Sequence, residues 1–416
     1  MERSKKDFLN KLVSFIEANS SLIIAALVIF VIFAGMAYSF YLKDSIRYGD
    51  ERDYYVLAKN IVAKHSYTVD GVSPTAFRAP GYPFFLSLFV FLGWGMPYIR
   101  ILNFIALGIS IYLVYLIIKR LSSKFATIIG ALLVICYPVL FYAAGTFYAQ
   151  TIGALIFLSI LFLLLKEQAG SVKSFLIIGA FLGFLILTIP TFIFCLPIFV
   201  LWIIFSMQRN RIRASVALIL MTMLIVSIWS FRNYSVYHSF VFISSNSGRN
   251  LFQGNWVNTN PNDLTEVNEA VDSYIKNKPD LNDVQFDAYM RSEAIKFILT
   301  HKSYIFRLYF MKFLNYFNYH NELVIRSEMS KTRDILMLLT WGPILLVFLI
   351  RLFYIGRFRP SNFEILLIVL YFASAFFYAI FYTRIRFRLP FDFLPIIVVA
   401  LFIDNVIKKL ITDSRR

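Results

Sequence analysis

Four charged residues in a row, Asp50, Glu51, Arg52 and Asp53, open the stretch GDERDYYVLA in a chain that is 59% hydrophobic and only 16% charged. A carboxylate there can act as a general base, or it can cap a helix and complement its dipole. The residues that follow favour a helix. Tyr54, Leu57, Ala58 and Ile61 recur on one helical face, with Lys59 and Lys64 off it, the pattern of a helix lying in a membrane interface. Asp53 is then the expected helix cap, and Asp50, three residues further out, is the expected chemical group.

Two arginine sites could serve such an acid. Arg78 stands in SPTAFRAPGYPFF, where Pro80, Gly81 and Pro83 stiffen and turn the backbone. Arg384, Arg386 and Arg388 fall within five residues in FYTRIRFRLPFDFLP. A guanidinium fork is suited to gripping a phosphate. The alternatives are snorkelling to lipid headgroups for Arg78 and pairing with headgroup phosphates for the later cluster. A further polar stretch, WSFRNYSVYHSFVFISSNSGRNLFQGNW, leaves an apolar run at Arg232 and reads as a loop over the mouth of a site. His65, His238, His301 and His320 show no metal-ligand spacing, and no phosphate-binding Gly-rich loop, G-x-S-x-G elbow or zinc helix is present.

What must position these residues is a membrane bundle. The mean hydropathy is +0.68, the chain has 45 Phe among 416 residues, and repeated apolar runs of about 20 residues each suit a helical crossing. The spans expected are 21–42, 98–119, 125–144, 147–165, 174–189, 190–207, 214–232, 334–352, 362–382 and 387–407. The apolar run 81–95 is set aside as interfacial or re-entrant, being short for a crossing. With ten spans and both termini cytoplasmic, nineteen basic residues (among them Arg120, Arg213, Arg351, Lys408, Arg415 and Arg416) face seven acids on the cytoplasmic side, as the positive-inside rule requires. The net charge of +17 is therefore a topology signal, and nucleic-acid binding loses its support. Asp50, Arg78 and the late arginines fall on the outer face, against the charge bias. No charged residue is expected well inside a span. The expected organisation is 1–232, a transmembrane module whose first outer loop is 43–97; 233–333, an outer loop with membrane-resting helices; and 334–416, the last spans. Cys136 and Cys195 both lie in apolar runs and read as small hydrophobes.

At these residues the chain resembles GT-C-type glycosyltransferases. The Asp-Glu pair, a Tyr-containing helix and R-x-P-G-Y-P resemble their first outer loop. Within the superfamily the chain is similar to bacterial members of glycosyltransferase family 39, which includes protein O-mannosyltransferases and lipid A aminoarabinose transferases. RNYSVYHSFVFISSNSGRNLFQGN, DAYMRSEAIKFILTHKSYIFRL and RFRLP resemble later segments of that family, in order. The resemblance implies an all-α polytopic membrane protein of GT-C-type fold with about ten spans, interfacial helices and a small helical outer cap. It implies a polyprenyl-monophosphate-linked sugar donor used at the outer face of the cytoplasmic (inner) membrane, with a glycan, lipid or protein acceptor and membrane lipids as partners.

By the same resemblance Asp50 falls on the catalytic aspartate, with Glu51 beside it. Arg78 falls on the donor-phosphate contact, and Arg384, Arg386 and Arg388 are further phosphate ligands. Asp53, Tyr54, Tyr82, Arg232 and Asn250 are candidate lining residues. Arg78-Ala79-Pro80 stands where the aminoarabinose enzymes have Lys-Pro-Pro, which departs from that substrate. Chemically, a polyprenyl-phosphate sugar carries its own leaving group, so no cofactor is required and no metal is indicated, though a divalent ion is compatible. One displacement with Asp50 as base would invert the anomeric carbon. The rival expectation is a lipid or solute transporter or flippase, which would place ionisable residues near the bilayer midplane and often show repeats.

Overall fold

A computed structural model describes residues 2–167, 170–278, 280–320 and 330–413; Arg415, Arg416 and residues 321–329 of the expected outer loop lie outside that set. Apolar runs surrounded by lipid must satisfy their backbone internally, and helices do so. Among the described residues the order is α1 (Glu2–Leu42), α2 (Gly49–Lys64), α3 (Gly81–Phe91), α4 (Met96–Leu121), α5 (Lys124–Ile135), α6 (Pro138–Ala144), α7 (Gln150–Lys166), α8 (Val172–Thr188), a 3₁₀ turn (Pro190–Phe194), α9 (Cys195–Ser206), α10 (Arg211–Tyr237), α11 (Ser247–Gly254), α12 (Thr265–Asn277), α13 (Asp283–Thr300), α14 (Lys302–Tyr316), α15 (Lys331–Phe353), α16 (Asn362–Ile380) and α17 (Ile385–Asp413).

Among the described residues six helices are long and apolar enough to cross a membrane: α1 from Ser14, α4, α10, α15, α16, and α17 to Leu410. Helices α5 and α6 pass the same test only together, as a pair bent by 62° that is either a broken span or a re-entrant loop, with Pro138 opening the second segment. The chain is a multi-pass membrane protein. The remaining expected spans are shorter apolar helices: α7, α8 and the Pro190–Ser206 pair. An apolar run does not show where a helix stops. The expected span 147–165 loses its first three residues to the irregular segment before Gln150, and 190–207 begins with a 3₁₀ turn. Helix α3, in the segment set aside, has 11 residues, about 16 Å at 1.5 Å per residue and half a crossing. Its first turn is buried against α2 and α8, while Leu88 and Phe91 are exposed.

Helix α17 is the axis of the fold. It packs on α4, α5, α7, α15 and α16, and every residue from Arg388 to Phe402 is buried, as befits a helix apolar on all sides. One expectation fails here. Asp392 lies inside the last span, fully buried, and pairs with Arg388 at 2.8 Å. The i,i+4 spacing of Arg388 and Asp392 was the sequence signal for this pair. Helices α11 to α13 enclose a small core of their own, including Phe252, Val267, Val271 and Met290. The stretch DAYMRSEAIKFILTHKSYIFRL falls on two helices, α13 and α14, broken at His301. Along α14, Leu308, Lys312 and Tyr316 are buried while Phe306, Phe310 and Leu314 are exposed.

Candidate active site

The acid cluster is placed from both sides. Arg100 of α4, buried, donates to the carbonyls of Lys43 and Ser45, each at 2.7 Å, which fixes the linker that feeds α2. Helix α2 starts at Gly49 with Tyr48 as N-cap and no side-chain cap. Asp53 therefore lies more than a turn inside the helix and does not cap it; its carboxylate accepts from Arg78 Nε at 3.0 Å and Nη2 at 2.7 Å. Successive helical residues point about 100° apart, so Asp50 and Glu51 diverge. Glu51 is buried beneath α2, accepting from the Phe147 backbone N–H at 3.1 Å. Burial raises its pKa against the opposing effects of that N–H and of Arg47 and Arg100.

Asp50 is shared by two arginines. Its Oδ1 accepts from Arg78 Nη2 at 2.6 Å, and its Oδ2 lies 2.7 Å from Arg386 Nη1. Burial pushes the Asp50 pKa up, but Arg386 and Arg78 outweigh it and bring the carboxyl down to about 2. Arg78 thus bridges Asp50 and Asp53 while lying over the rings of Phe77 (4.6 Å) and Tyr54 (5.8 Å).

The loop carrying Arg78 is held at several points. The Tyr67 hydroxyl donates to its carbonyl at 2.9 Å. Arg232 Nη1 donates to the Thr75 carbonyl at 3.0 Å, the Tyr237 hydroxyl to that of Pro74 at 2.7 Å, and the Ser245 N–H to that of Ala76 at 2.8 Å. The Thr75 hydroxyl donates to Asp283 of α13. Arg232 is therefore a brace for this loop. Tyr82, fully buried, supports Tyr54 edge to face at 5.3 Å.

Only one of the three late arginines reaches the acids. Arg386 also donates to the Tyr148 hydroxyl at 3.0 Å and lies 5.1 Å over that ring. It sits in the first turn of α17, the positive end of the dipole, where Asp50 offsets the repulsion. Arg384 turns to the carbonyl of Asn262 at 2.7 Å. Arg388 points into the core, where it meets Asp392, the carbonyls of Tyr316 and Asn318, and the Tyr137 hydroxyl, 3.9 Å over Trp341. A ligand at the acid cluster cannot reach it, because it is fully buried with its own partners. Arg384 precedes α17, and within the helix Arg386 and Arg388 point about 200° apart, which proximity in sequence concealed.

Three features were not read from the sequence. Tyr148 falls in the expected span 147–165 but lies before α7, which begins at Gln150. Arg249, beside the expected Asn250 on α11, is half-buried and 5.6 Å from the Phe77 ring that also carries Arg78. Burial lowers its pKa, against the opposing effects of Asp272 and Tyr382. Helix α11 is fixed at both ends by glycines in close approach: a Cβ on Gly248 would lie 2.0 Å from the Asp287 carbonyl, and one on Gly254 1.6 Å from that of Phe381. Asp287 also accepts from the N–H groups of Gly248 (2.6 Å) and Arg249 (3.1 Å). Lys312 is the third. Fully buried, it donates to the carbonyls of Gly254 and Phe381 at 2.8 and 2.9 Å and to Asn255 Oδ1 at 2.9 Å. One ammonium thus closes the C-terminal ends of α11 and α16 just before Arg384 and Arg386.

Among the described residues no three His, Cys, Asp or Glu side chains converge as a metal site. The cluster is two carboxylates and two arginines in direct contact, with aromatic walls and a third arginine alongside. It can hold an anion and offer a carboxylate to a neighbouring hydroxyl.

Residues 77–231 match the family described as dolichyl-phosphate-mannose-protein mannosyltransferase. The fold aligns with the Archaeoglobus fulgidus oligosaccharyltransferase in complex with Zn and sulfate, at 18% identity and a TM-score of 0.53, over 91% of this chain and 49% of that one. It aligns equally with the archaeal oligosaccharyltransferase AglB from Archaeoglobus fulgidus in complex with an inhibitory peptide and a dolichol-phosphate, at 15% identity and a TM-score of 0.53, over 92% and 50%. The fold is that of the GT-C glycosyltransferases. The chain spans about half the length of these oligosaccharyltransferases. No curated protein matches its sequence. The family match begins at Phe77, one residue before Arg78, and ends at Phe231, so Asp50, Arg249 and Arg386 join the site from outside it.

Proposed function

We propose that this GT-C protein transfers a sugar from a polyprenyl monophosphate to an acceptor hydroxyl at the outer face of the cytoplasmic membrane, inverting the anomeric carbon. The observation that carries this reading is the sharing of Asp50 between Arg78 and Arg386. Support comes from the family match, whose description names a dolichyl-phosphate mannose donor, and from the aligned AglB complex, which contains dolichol-phosphate.

A carboxylate with a pKa of about 2 is a weak base. The donor changes that. A polyprenyl-phosphate sugar is a phosphodiester with one negative charge. As the anomeric C–O bond breaks, its electron pair stays on the phosphate, which becomes a monoester dianion. Arg78 and Arg386 are drawn to that growing charge, and the hold on Asp50 weakens as they move, so its basicity rises. Asp50 then takes the proton of the acceptor hydroxyl while the acceptor oxygen bonds the anomeric carbon opposite the phosphate. Asp53, whose Oδ2 accepts from both Nε and Nη2 of Arg78, keeps that guanidinium aligned. Glu51 and Arg388 act as supports, Glu51 through the Phe147 turn and Arg388 through the start of α17.

Reconstituted protein given synthetic polyprenyl-phosphate hexoses and pentoses, with acceptor lipids, glycans and peptides, tests the reading. Transfer with inversion supports it. Movement of a labelled lipid or solute across the bilayer without any transfer would replace it with transport. The buried charges of α17 do not favour transport, since Arg388 and Asp392 are both sealed from solvent.

A further inference from the structure

The two arginines that touch Asp50 are committed. Arg78 spends Nε and Nη2 on Asp53 and Asp50, and Arg386 spends Nη1 on Asp50 and Tyr148. An anion arriving at either meets a guanidinium already charge-paired with a carboxylate and competes with it. Arg249 is in a different state. Among the described residues its guanidinium makes no ion pair or hydrogen bond; its contact is the face of Phe77, at 5.6 Å. The backbone beneath it is rigid, with its own N–H bonded to Asp287 and Gly248 pressed on the Asp287 carbonyl. The Phe77 ring is shared with Arg78, so the unpaired cation borders the acid cluster. Asp272 and Asp50 act on Arg249 only at a distance, without an ion pair or hydrogen bond to it, so its N–H donors remain for an arriving anion.

We propose that Arg249 is a third anion-binding residue of this site, the guanidinium that receives the donor's phosphate before Arg78 and Arg386 leave Asp50. This deepens the function proposed above and rests on its polyprenyl-phosphate donor. Held by Arg249 beside Phe77, the phosphate sits next to Arg78 and competes with the carboxylates for it. Donor arrival and release of the base are thereby coupled.

The test uses full-length protein in phosphatidylcholine nanodiscs, titrated separately with undecaprenyl phosphate, phosphatidylglycerol and inorganic phosphate. Wild type is compared with Arg249→Gln, Arg249→Lys and Arg307→Gln, the last an exposed arginine on α14 outside the site. The expected result is undecaprenyl phosphate binding weakened about tenfold in Arg249→Gln, the change in affinity that roughly 1.4 kcal/mol confers, partly recovered in Arg249→Lys and unchanged in Arg307→Gln. Thermal unfolding of the variants should match wild type. Undiminished binding in Arg249→Gln overturns the assignment alone, as does equal weakening in Arg307→Gln, which would make the effect one of general charge. A loss confined to phosphatidylglycerol overturns it in favour of a headgroup contact. A wild-type protein that binds no undecaprenyl phosphate overturns the donor reading as well.

Discussion

Arg386 Nη1 lies 2.7 Å from Asp50 Oδ2, joining the first turn of the last helix to the first turn of the second. The chain separates these residues by almost its whole length, and the contact exists because α17 runs through the middle of the bundle. The same pair holds a candidate base in its least basic state until something competes for the arginine.

Replacing Asp50 by Asn should reduce transfer by about 10²–10⁴-fold, the usual range for loss of a general base. Turnover from a polyprenyl-phosphate sugar, with folding checked by thermal unfolding, measures it. Wild-type rates in the variant would remove Asp50 from the mechanism.

The pH dependence of stability follows from the same carboxyl. Its folded pKa of about 2 is below the unfolded value near 3.8, so its contribution is complete above pH 4 and disappears as pH falls toward 2. The size is on the order of 2 kcal/mol. Melting temperatures between pH 6 and pH 2.5 should fall more steeply for wild type than for Asp50→Asn; parallel curves would contradict the ion pairs.

Breaking the buried pair on α17 should cost about 3–5 kcal/mol, because either partner alone leaves an uncompensated charge in the core. Asp392→Leu should therefore lower the melting temperature sharply, and Arg388→Met with Asp392→Leu should recover much of the loss. If the double variant is no better than the single, the two residues act separately.

Gly254→Ala should destabilise the end of α11 by about 1–3 kcal/mol, the range for overpacking, since its Cβ would overlap the Phe381 carbonyl. Protease protection of α11 and donor affinity should fall together, because the displaced segment leads to Arg386. A variant with wild-type protection and affinity would show that the loop can move aside at little cost.

Chelation should leave transfer unchanged if the arginines carry the phosphate charge as proposed. A reaction abolished by EDTA and restored by one divalent ion would assign that charge to a metal.

Much of this protein is legible in one dimension. Apolar runs and the asymmetry of Lys and Arg mark out the bundle, because lipid admits little but helices and each span is local in sequence. The spacing of Tyr54, Leu57 and Ala58 marks α2 and its buried face for the same reason. Asp50 and Arg78 stand out as charges where charge is costly. The sequence could not say which carboxylate of Asp50, Glu51 and Asp53 faces which partner, since one residue of helical phase separates a site acid from a buried one. It could not tell Arg386 from Arg384 and Arg388, three similar residues sent in three directions by one helix start. Nothing in their spacing singles out Arg249 or Lys312; their places depend on Gly248 and Gly254, which bring α11 against α13 and the Phe381 turn. Sequence determined the elements, because helix formation in lipid depends on neighbours along the chain. Tertiary structure decided the site, because its charges come from α2, the Arg78 loop, α11 and α17, and only packing fixes their distances.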